Sequence, residues 1–223
     1  MHISLRPGYQ PQTSVTVPDV RVIIDVFRAS TTTLAILENG AQSLLIANDF
    51  DLLKRFSEDG YLIVSEVFDL GIDNSPTLVK SHGVLNRNVV LKTSNLTTAL
   101  EQNSTTNIVI SCFNNLGATF DFLKSSNYQN IEVVPAGYMA HQQMNFEDIH
   151  CAEILVNSLE RGELILPDNF RLQAHVSEMI KSKPRTAHYI DDLHLAIIPN
   201  ISKGIATVIK KSNGLFEVSL NHN

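Results

Sequence analysis

The chain has 223 residues, a length that points to one large domain or a tight pair sharing a core, with no need for disulfides or metals to hold it. Its 17 Lys and Arg against 23 Asp and Glu leave a net charge of −6 with neutral histidines, which argues against a nucleic-acid surface built on bulk positive charge. The 43% hydrophobic and 18% charged fractions exclude a disordered or fibrous chain, and no run of about 18 apolar residues offers a membrane span.

The first residues lack the basic and apolar segments of a secretory signal, and Cys112 and Cys151 lack the paired spacing of a metal or redox motif. The expectation is a cytoplasmic protein with two reduced thiols. In chain order, Val20–Val26 has the apolar, β-branched pattern of a buried strand. It runs into a polar elbow, Phe27-Arg28-Ala29-Ser30-Thr31, and then a helix over Thr32–Leu37 that Asn39-Gly40 stops, glycine taking the left-handed position without strain. A strand at Ser43–Ala47, a helix capped by Asp49 and running through Phe56, and a strand at Tyr61–Ser65 follow. Glu66–Pro76 reads as a loop in which Ser75 and Pro76 make a helix entry. Further strands are predicted at Val89–Lys92, Asn107–Ser111 and Ile131–Val134, and helices over Asn115–Lys124 and Phe146–Leu159, where apolar residues recur at helical spacing. After Pro167 the pattern is helical to about Lys181, then irregular, and Ile205–Ile209 and Leu215–Leu220 flank Lys210–Gly214 as a hairpin. Strands alternating with helices predict an α/β fold with a mostly parallel or mixed sheet. Pro167–Asn169 is the candidate boundary between a core over 1–166 and a small C-terminal α+β layer over 167–223 packed on that core, the alternative being one domain over 1–223.

Ligands of open α/β sheets bind beyond the carboxyl ends of the strands. The residues there are Asp25 with Arg28, Ser30 and Thr31; Ser65 and Glu66; Thr93, Ser94, Asn95 and Thr97; Phe113, Asn114 and Asn115; and Pro135-Ala136-Gly137. Carboxylates suit a hard cation such as Mg²⁺, whereas hydroxyls, amides and helix N-termini suit phosphate oxygens. Asp25 ends an otherwise apolar strand, where a carboxylate is costly unless paired or metal-bound. Either it forms an internal pair with Arg28 that orients the elbow, with Ser30 and Thr31 as caps, or it is a metal ligand or base while Arg28 clamps a phosphate or carboxylate. Glu147-Asp148 opens a helix, where acidic residues complement the dipole, and Cys151 reads as a core residue. His141, His150, His188 and His194 have no metal-ligand spacing, and there is no Walker loop, dinucleotide fingerprint or Gly-x-Ser-x-Gly elbow.

Taken together, Ile24–Thr32, Asn74-Ser75-Pro76, Thr93-Ser94-Asn95 with Thr97 and Ala99-Leu100, Phe113-Asn114, Ala136-Gly137, and Glu147-Asp148 with Cys151-Ala152 resemble the 2-phosphosulfolactate phosphatase family of coenzyme M biosynthesis in content and order. The resemblance implies a Mg²⁺-dependent phosphomonoester hydrolase on an α/β fold peculiar to the family, acting on a small phosphorylated organic acid, with no nucleic-acid or membrane partner and with a homodimer left open. Carried over position by position, it makes Asp25, Arg28 and Glu66 the expected catalytic residues and Asp25, Glu147 and Asp148 the expected metal ligands. Ser30, Thr31, Asn74, Ser75, Thr93, Asn95 and Asn114 become the expected substrate contacts. Family members usually carry Gly-Glu-Arg where this chain has Ser65-Glu66-Val67, and Thr-Thr-Asn-Gly-Thr-Arg where it has Thr93-Ser94-Asn95-Leu96-Thr97-Thr98. Two arginines and a glycine are thus replaced, which implies an altered substrate or, alternatively, a ligand-binding or interaction protein on the same scaffold.

Overall fold

The β-branched runs do form strands, but their order in space departs from their order in the chain. The computed structural model describes residues 1–10, 17–67, 71–103, 107–166, 170–182 and 187–222; Phe68–Leu70 of the expected loop and the expected boundary at Pro167–Asn169 lie outside them. The strands are β1 (His2–Leu5), β2 (Val20–Ile24), β3 (Ser43–Ala47), β4 (Leu62–Ser65), β5 (Ile72–Asp73), β6 (Asn88–Lys92), β7 (Asn107–Ser111), β8 (Asn130–Pro135), β9 (Gly204–Ser212) and β10 (Leu215–His222). They form one mixed, mostly parallel sheet in the order β1-β8-β2-β7-β9-β10-β3-β6-β4-β5. The helices are α1 (Thr31–Glu38), α2 (Phe50–Glu58), α3 (Pro76–His82), α4 (Asn95–Gln102), α5 (Leu116–Ser125), α6 (Phe146–Arg161), α7 (Phe170–Ser182) and α8 (Ala187–Ala196).

Two parallel blocks, β1-β8-β2-β7 and β3-β6-β4-β5, flank the antiparallel hairpin β9-β10. Because β7 pairs antiparallel with β9 and β10 antiparallel with β3, the two blocks run in opposite directions. The C-terminal hairpin therefore lies in the middle of the sheet and joins its halves. Every residue of β2 is buried, as expected of a parallel strand covered on both faces.

The sheet is strongly curled. Asp25 follows β2, third in the order, and Asp73 ends β5, tenth; at about 4.8 Å per strand a flat sheet would hold them about 34 Å apart. Yet Arg28 Nη1 lies 2.9 Å from Asp73 Oδ2. The curl closes around α1, which packs against α3 and against β3, β9 and β10. Buried from Thr31 through Ile36, α1 behaves as an interior helix rather than an amphipathic surface one. Near the start of β2, Arg21, fully buried, donates to Glu132 Oε2 at 2.7 Å and to the backbone oxygen of Asn103 at the end of α4. Arg6 donates to both oxygens of the same Glu132.

Three elements differ from the sequence expectation. β1 is a half-exposed edge strand too short to show alternation, and β5 is a two-residue strand inside the predicted loop. α8 occupies a stretch read as irregular, because its apolar stripe is interrupted by Asp191, Asp192 and His194.

Candidate functional site

The elbow after β2 builds the centre of the site. Ser30 and Thr31 do not face outward: Asp25 N donates to Ser30 Oγ at 3.0 Å, Ser30 N donates back to Asp25 O at 2.8 Å, and Thr31 Oγ1 donates to Val26 O at 2.9 Å. Both hydroxyls are buried and hold the turn that presents the Asp25 carboxyl. From α6, Asp148 reaches across, Oδ1 accepting from Val26 N at 2.7 Å and Oδ2 from Gly137 N at 3.0 Å. Gly137 has φ +65°, and a Cβ there would sit 2.5 Å from Gln143 O, so a side chain would displace the amide that Asp148 binds.

Asp25 and Asp148 are buried together with Glu147. Burial pushes the Asp25 carboxyl up to about 7, reinforced by the charges of Glu66 and Glu147 and opposed by a hydrogen bond from the Ala29 backbone. Burial, then Asp25 and Glu147, raise Asp148 well above the carboxylate range despite its two amide donors. Among the described residues none of these carboxylates is paired with a lysine or arginine. Glu147 Oε2 instead meets His175 Nε2 of α7 at 3.1 Å, and that hydrogen bond raises the imidazole above its ordinary value. Phe146 packs on His175 and stacks on His150.

Glu66, beyond β4, accepts from Thr93 Oγ1 at 3.0 Å, from Ser94 N at 3.2 Å and, at 3.4 Å, from Asn74 Nδ2. Lys92, itself nearly buried, donates to Ser94 Oγ at 3.2 Å and lies over the Phe50 ring, which brings one positive charge to the start of α4. Beside it, Tyr9, Ser94, Asn95, Thr98, Gln102 and Gln142 line a polar cleft of about 250 Å³ with no charged side chain among its described residues.

Arg28 does not pair with Asp25. Its guanidinium takes Asp73 with two hydrogen bonds, at 2.9 and 3.1 Å, takes Asp192 of α8 at 2.9 Å, and lies over the Tyr189 ring. Asp192 also accepts from Ser75 Oγ at 2.8 Å and from Thr77 N and Oγ1 at 3.1 and 2.7 Å. Ser75 caps α3 as the sequence predicts. Asn114 Nδ2 donates to the backbone oxygens of Leu195 and Ile198, closing the end of α8 rather than facing the carboxylates. The structure thus gathers Asp25, Glu66, Asn74, Thr93, Glu147 and Asp148, and gives Arg28, Ser30, Thr31, Ser75 and Asn114 to the frame. Sequence reasoning did not single out Lys92, Asp73, His175 or Asp192; Lys92 meets Ser94 two residues on at the end of a strand read only for its burial, and the other three meet their partners through the curl of the sheet or the packing of α7 and α8.

The donor chemistry fits a hard divalent cation. Among the described residues several carboxyl oxygens stand close together with the imidazole of His175 as their one basic partner, and the Asn74 side-chain oxygen is a buried acceptor that no donor reaches. Among the described residues no three His, Cys, Asp or Glu side chains already converge on one metal position. Mg²⁺ commonly keeps several waters and binds one or two carboxylates together with the phosphate of a substrate. Cys112 and Cys151 are buried free thiols whose burial raises them, which leaves them inert as nucleophiles.

The sequence model of the 2-phosphosulpholactate phosphatase family matches residues 8–194. The chain belongs to this family. Among its relatives, a probable 2-phosphosulfolactate phosphatase of Caldicellulosiruptor saccharolyticus is 31% identical over 170 residues, 70% of this chain and 69% of the relative. That of Deinococcus radiodurans is 30% identical over 167 residues, 70% of this chain and 68% of the relative. The protein of the same description from Thermotoga petrophila is 31% identical over 150 residues, and the chain spans 63% of its length. Membership of the phosphatase family agrees with an acidic cluster beside a polar cleft, and no helix among the described residues is long and apolar enough to cross a membrane.

Proposed function

We propose that this chain hydrolyses a small phosphate monoester of the 2-phosphosulfolactate type with Mg²⁺ as its cofactor. The observation that carries the reading is the buried carboxylate group Asp25, Glu147 and Asp148, next to Glu66, in a family named for phosphatase activity. A site this negative repels a phosphate dianion, and a divalent cation reverses the local field. Asp25 and Glu66 would hold it. When bound, Mg²⁺ supplies positive charge against the phosphoryl oxygens and helps orient the displacement.

The chain's own groups do the rest. Asp148 ties the amides of Val26 and Gly137, so the elbow and the loop after β8 keep one geometry. Lys92 and the start of α4 favour an anion in the cleft, where Ser94 and Asn95 bind phosphoryl oxygens. Glu147 accepts the proton of the attacking water at Oε1 as the ester P–O bond breaks, the leaving alkoxide takes a proton from solvent, and His175, hydrogen-bonded at Oε2 and part-exposed, gives the proton on Glu147 a route to solvent. Thr98 at the cleft, where the family resemblance implies an arginine, supports a substrate whose organic part bears less negative charge. Phosphoryl transfer asks mostly for positioning and electrostatics, which such an arrangement offers.

The test is release of phosphate from a panel of small esters, 2-phosphosulfolactate included, by purified protein with and without Mg²⁺. Turnover that requires Mg²⁺ and collapses in Asp25→Asn is expected. Turnover indifferent to that substitution, or none across the panel, overturns the reading.

A further inference from the structure

Asn74 stands out because its side chain is both rigidly placed and half used. The residue is 1% exposed, and its Oδ1 is buried with no hydrogen-bond partner among the described residues. Its neighbours fix it from both sides. Asp73 is held by Arg28 and by His188 at 3.3 Å, Ser75 is held by Asp192, and Asn74 N itself donates to Ser65 O at 2.9 Å. The side-chain amide cannot turn over to relieve the orphan. Nδ2 faces Glu66 Oε1 at 3.4 Å, and a flip would set two acceptors against each other.

The identity of the orphan atom decides what it can bind. An amide oxygen accepts and never donates, so it has nothing to offer the oxygens of a phosphate dianion, which also only accept. The amide nitrogen, which could serve a phosphate, is turned to Glu66. What satisfies Oδ1 is a cation, or a donor such as water. Beside it stands the Glu66 carboxylate, whose Oε1 lies 3.4 Å from Nδ2, and amide carbonyls together with carboxylates are the ordinary donor set of a hard divalent ion.

We infer that Asn74 Oδ1 is a ligand of the divalent cation, completing with Glu66 and Asp25 a seat on the β4–β5 side of the acidic group. This replaces the role of substrate contact that the sequence suggested for Asn74. It rests on the reading of a divalent-cation site made above, yet it concerns affinity for the ion and not turnover, so the two can fail separately.

The test uses the full-length protein and Mn²⁺ alone, with free Mn²⁺ followed by electron paramagnetic resonance, Mg²⁺ as competitor, and thermal melting in parallel. Asn74→Leu keeps the bulk and removes the oxygen together with the long Nδ2 contact to Glu66, which keeps Thr93 and Ser94 as donors; it is expected to weaken Mn²⁺ binding about tenfold or more, the scale on which groups of a metal site act. In metal-free buffer it is expected to melt no lower than the wild type, because it deletes an unsatisfied buried acceptor. Asn74→Asp keeps the shape and adds a charge beside Glu66. Its metal-free form should melt lower and its Mn²⁺-induced rise in melting temperature should exceed that of the wild type, a readout that survives if the leucine variant fails to fold. Wild-type Mn²⁺ affinity in Asn74→Leu, or an unchanged Mn²⁺-induced rise in Asn74→Asp, overturns the inference and leaves Oδ1 to a water molecule. If no ester is turned over while both variants shift Mn²⁺ binding as stated, the hydrolase reading falls and the cation seat stands.

Discussion

The junction at Arg28 can be tested most directly, because one side chain there ties three distant parts of the chain. Arg28→Leu would remove the cation shared by Asp73 and the fully buried Asp192 while keeping most of the apolar stem. Removing one partner of a buried ion pair costs about 3–5 kcal/mol, since the remaining charge stays desolvated. Here Arg28 is 13% and Asp73 18% exposed, Asp192 keeps three donors from Ser75 and Thr77, and Asp73 keeps His188. These offsets bring the expected loss to about 2–4 kcal/mol. At about 2–4 °C per kcal/mol for a chain of this size, the melting temperature should fall by roughly 5–15 °C. Calorimetry on wild type, Arg28→Leu, Asp192→Asn and the double variant gives the loss and the coupling together. The double variant should lose clearly less than the sum of the singles, because it leaves no charge at the fully buried Asp192 position and only the part-exposed Asp73, still beside His188, without its arginine. A fall under about 2 °C, with additive singles, would refute the claim that this pair closes the curled sheet.

Asp25→Asn should abolish turnover yet raise the melting temperature of the metal-free protein above neutral pH, since it deletes a carboxylate whose ionisation is resisted. The sign follows from the raised folded value: Asp25 opposes folding increasingly as pH climbs from 3.8 to about 7, so metal-free wild type should lose stability across that window and Asp25→Asn should lose less. A parallel pH profile for the two proteins would contradict this. Glu132 behaves oppositely. Against the upward push of burial, Arg6 and Arg21 hold its carboxyl low, so its contribution is complete above 4.5 and disappears on acidification through its lowered folded value. Glu132→Gln should cost about 2–4 kcal/mol in urea unfolding at pH 7 by leaving the fully buried Arg21 without its carboxylate, though still donating to the Asn103 backbone, and an unchanged midpoint would rule that out. Lys92→Met should raise KM several-fold with kcat and melting temperature little changed; an equal fall in kcat would give Lys92 a different role.

Periodicity located most of the framework correctly because it reports burial along a short stretch. The strands at Ser43–Ala47 and Asn107–Ser111 match residue for residue, and Ser75 and Asp49 cap the helices whose first residues they precede. Strand order is a different kind of information. Nothing in Ile205–Leu220 says that this hairpin sits between β7 and β3, because its burial pattern would serve a central or a separate sheet equally well. The expectation that all the strand-end residues share one edge also misses that the blocks run in opposite directions, and that only curl brings them together.

The same division runs through the site. Chain order, through the family resemblance, named Asp25, Glu66 and Glu147-Asp148 as expected site residues, and the family model matches residues 8–194. Side-chain partners depend on non-local packing. Arg28 lies three residues from Asp25 but binds Asp73 and Asp192, 45 and 164 residues away, because the elbow turns its side chain toward α8. His175 reaches Glu147 from a helix that no motif marks, and Asn74 is left with a free oxygen only because Glu66 claims its nitrogen. Sequence determined which residues are buried and which family this is; tertiary structure decided which charges meet, because charge pairing is settled by distances that a linear pattern does not encode.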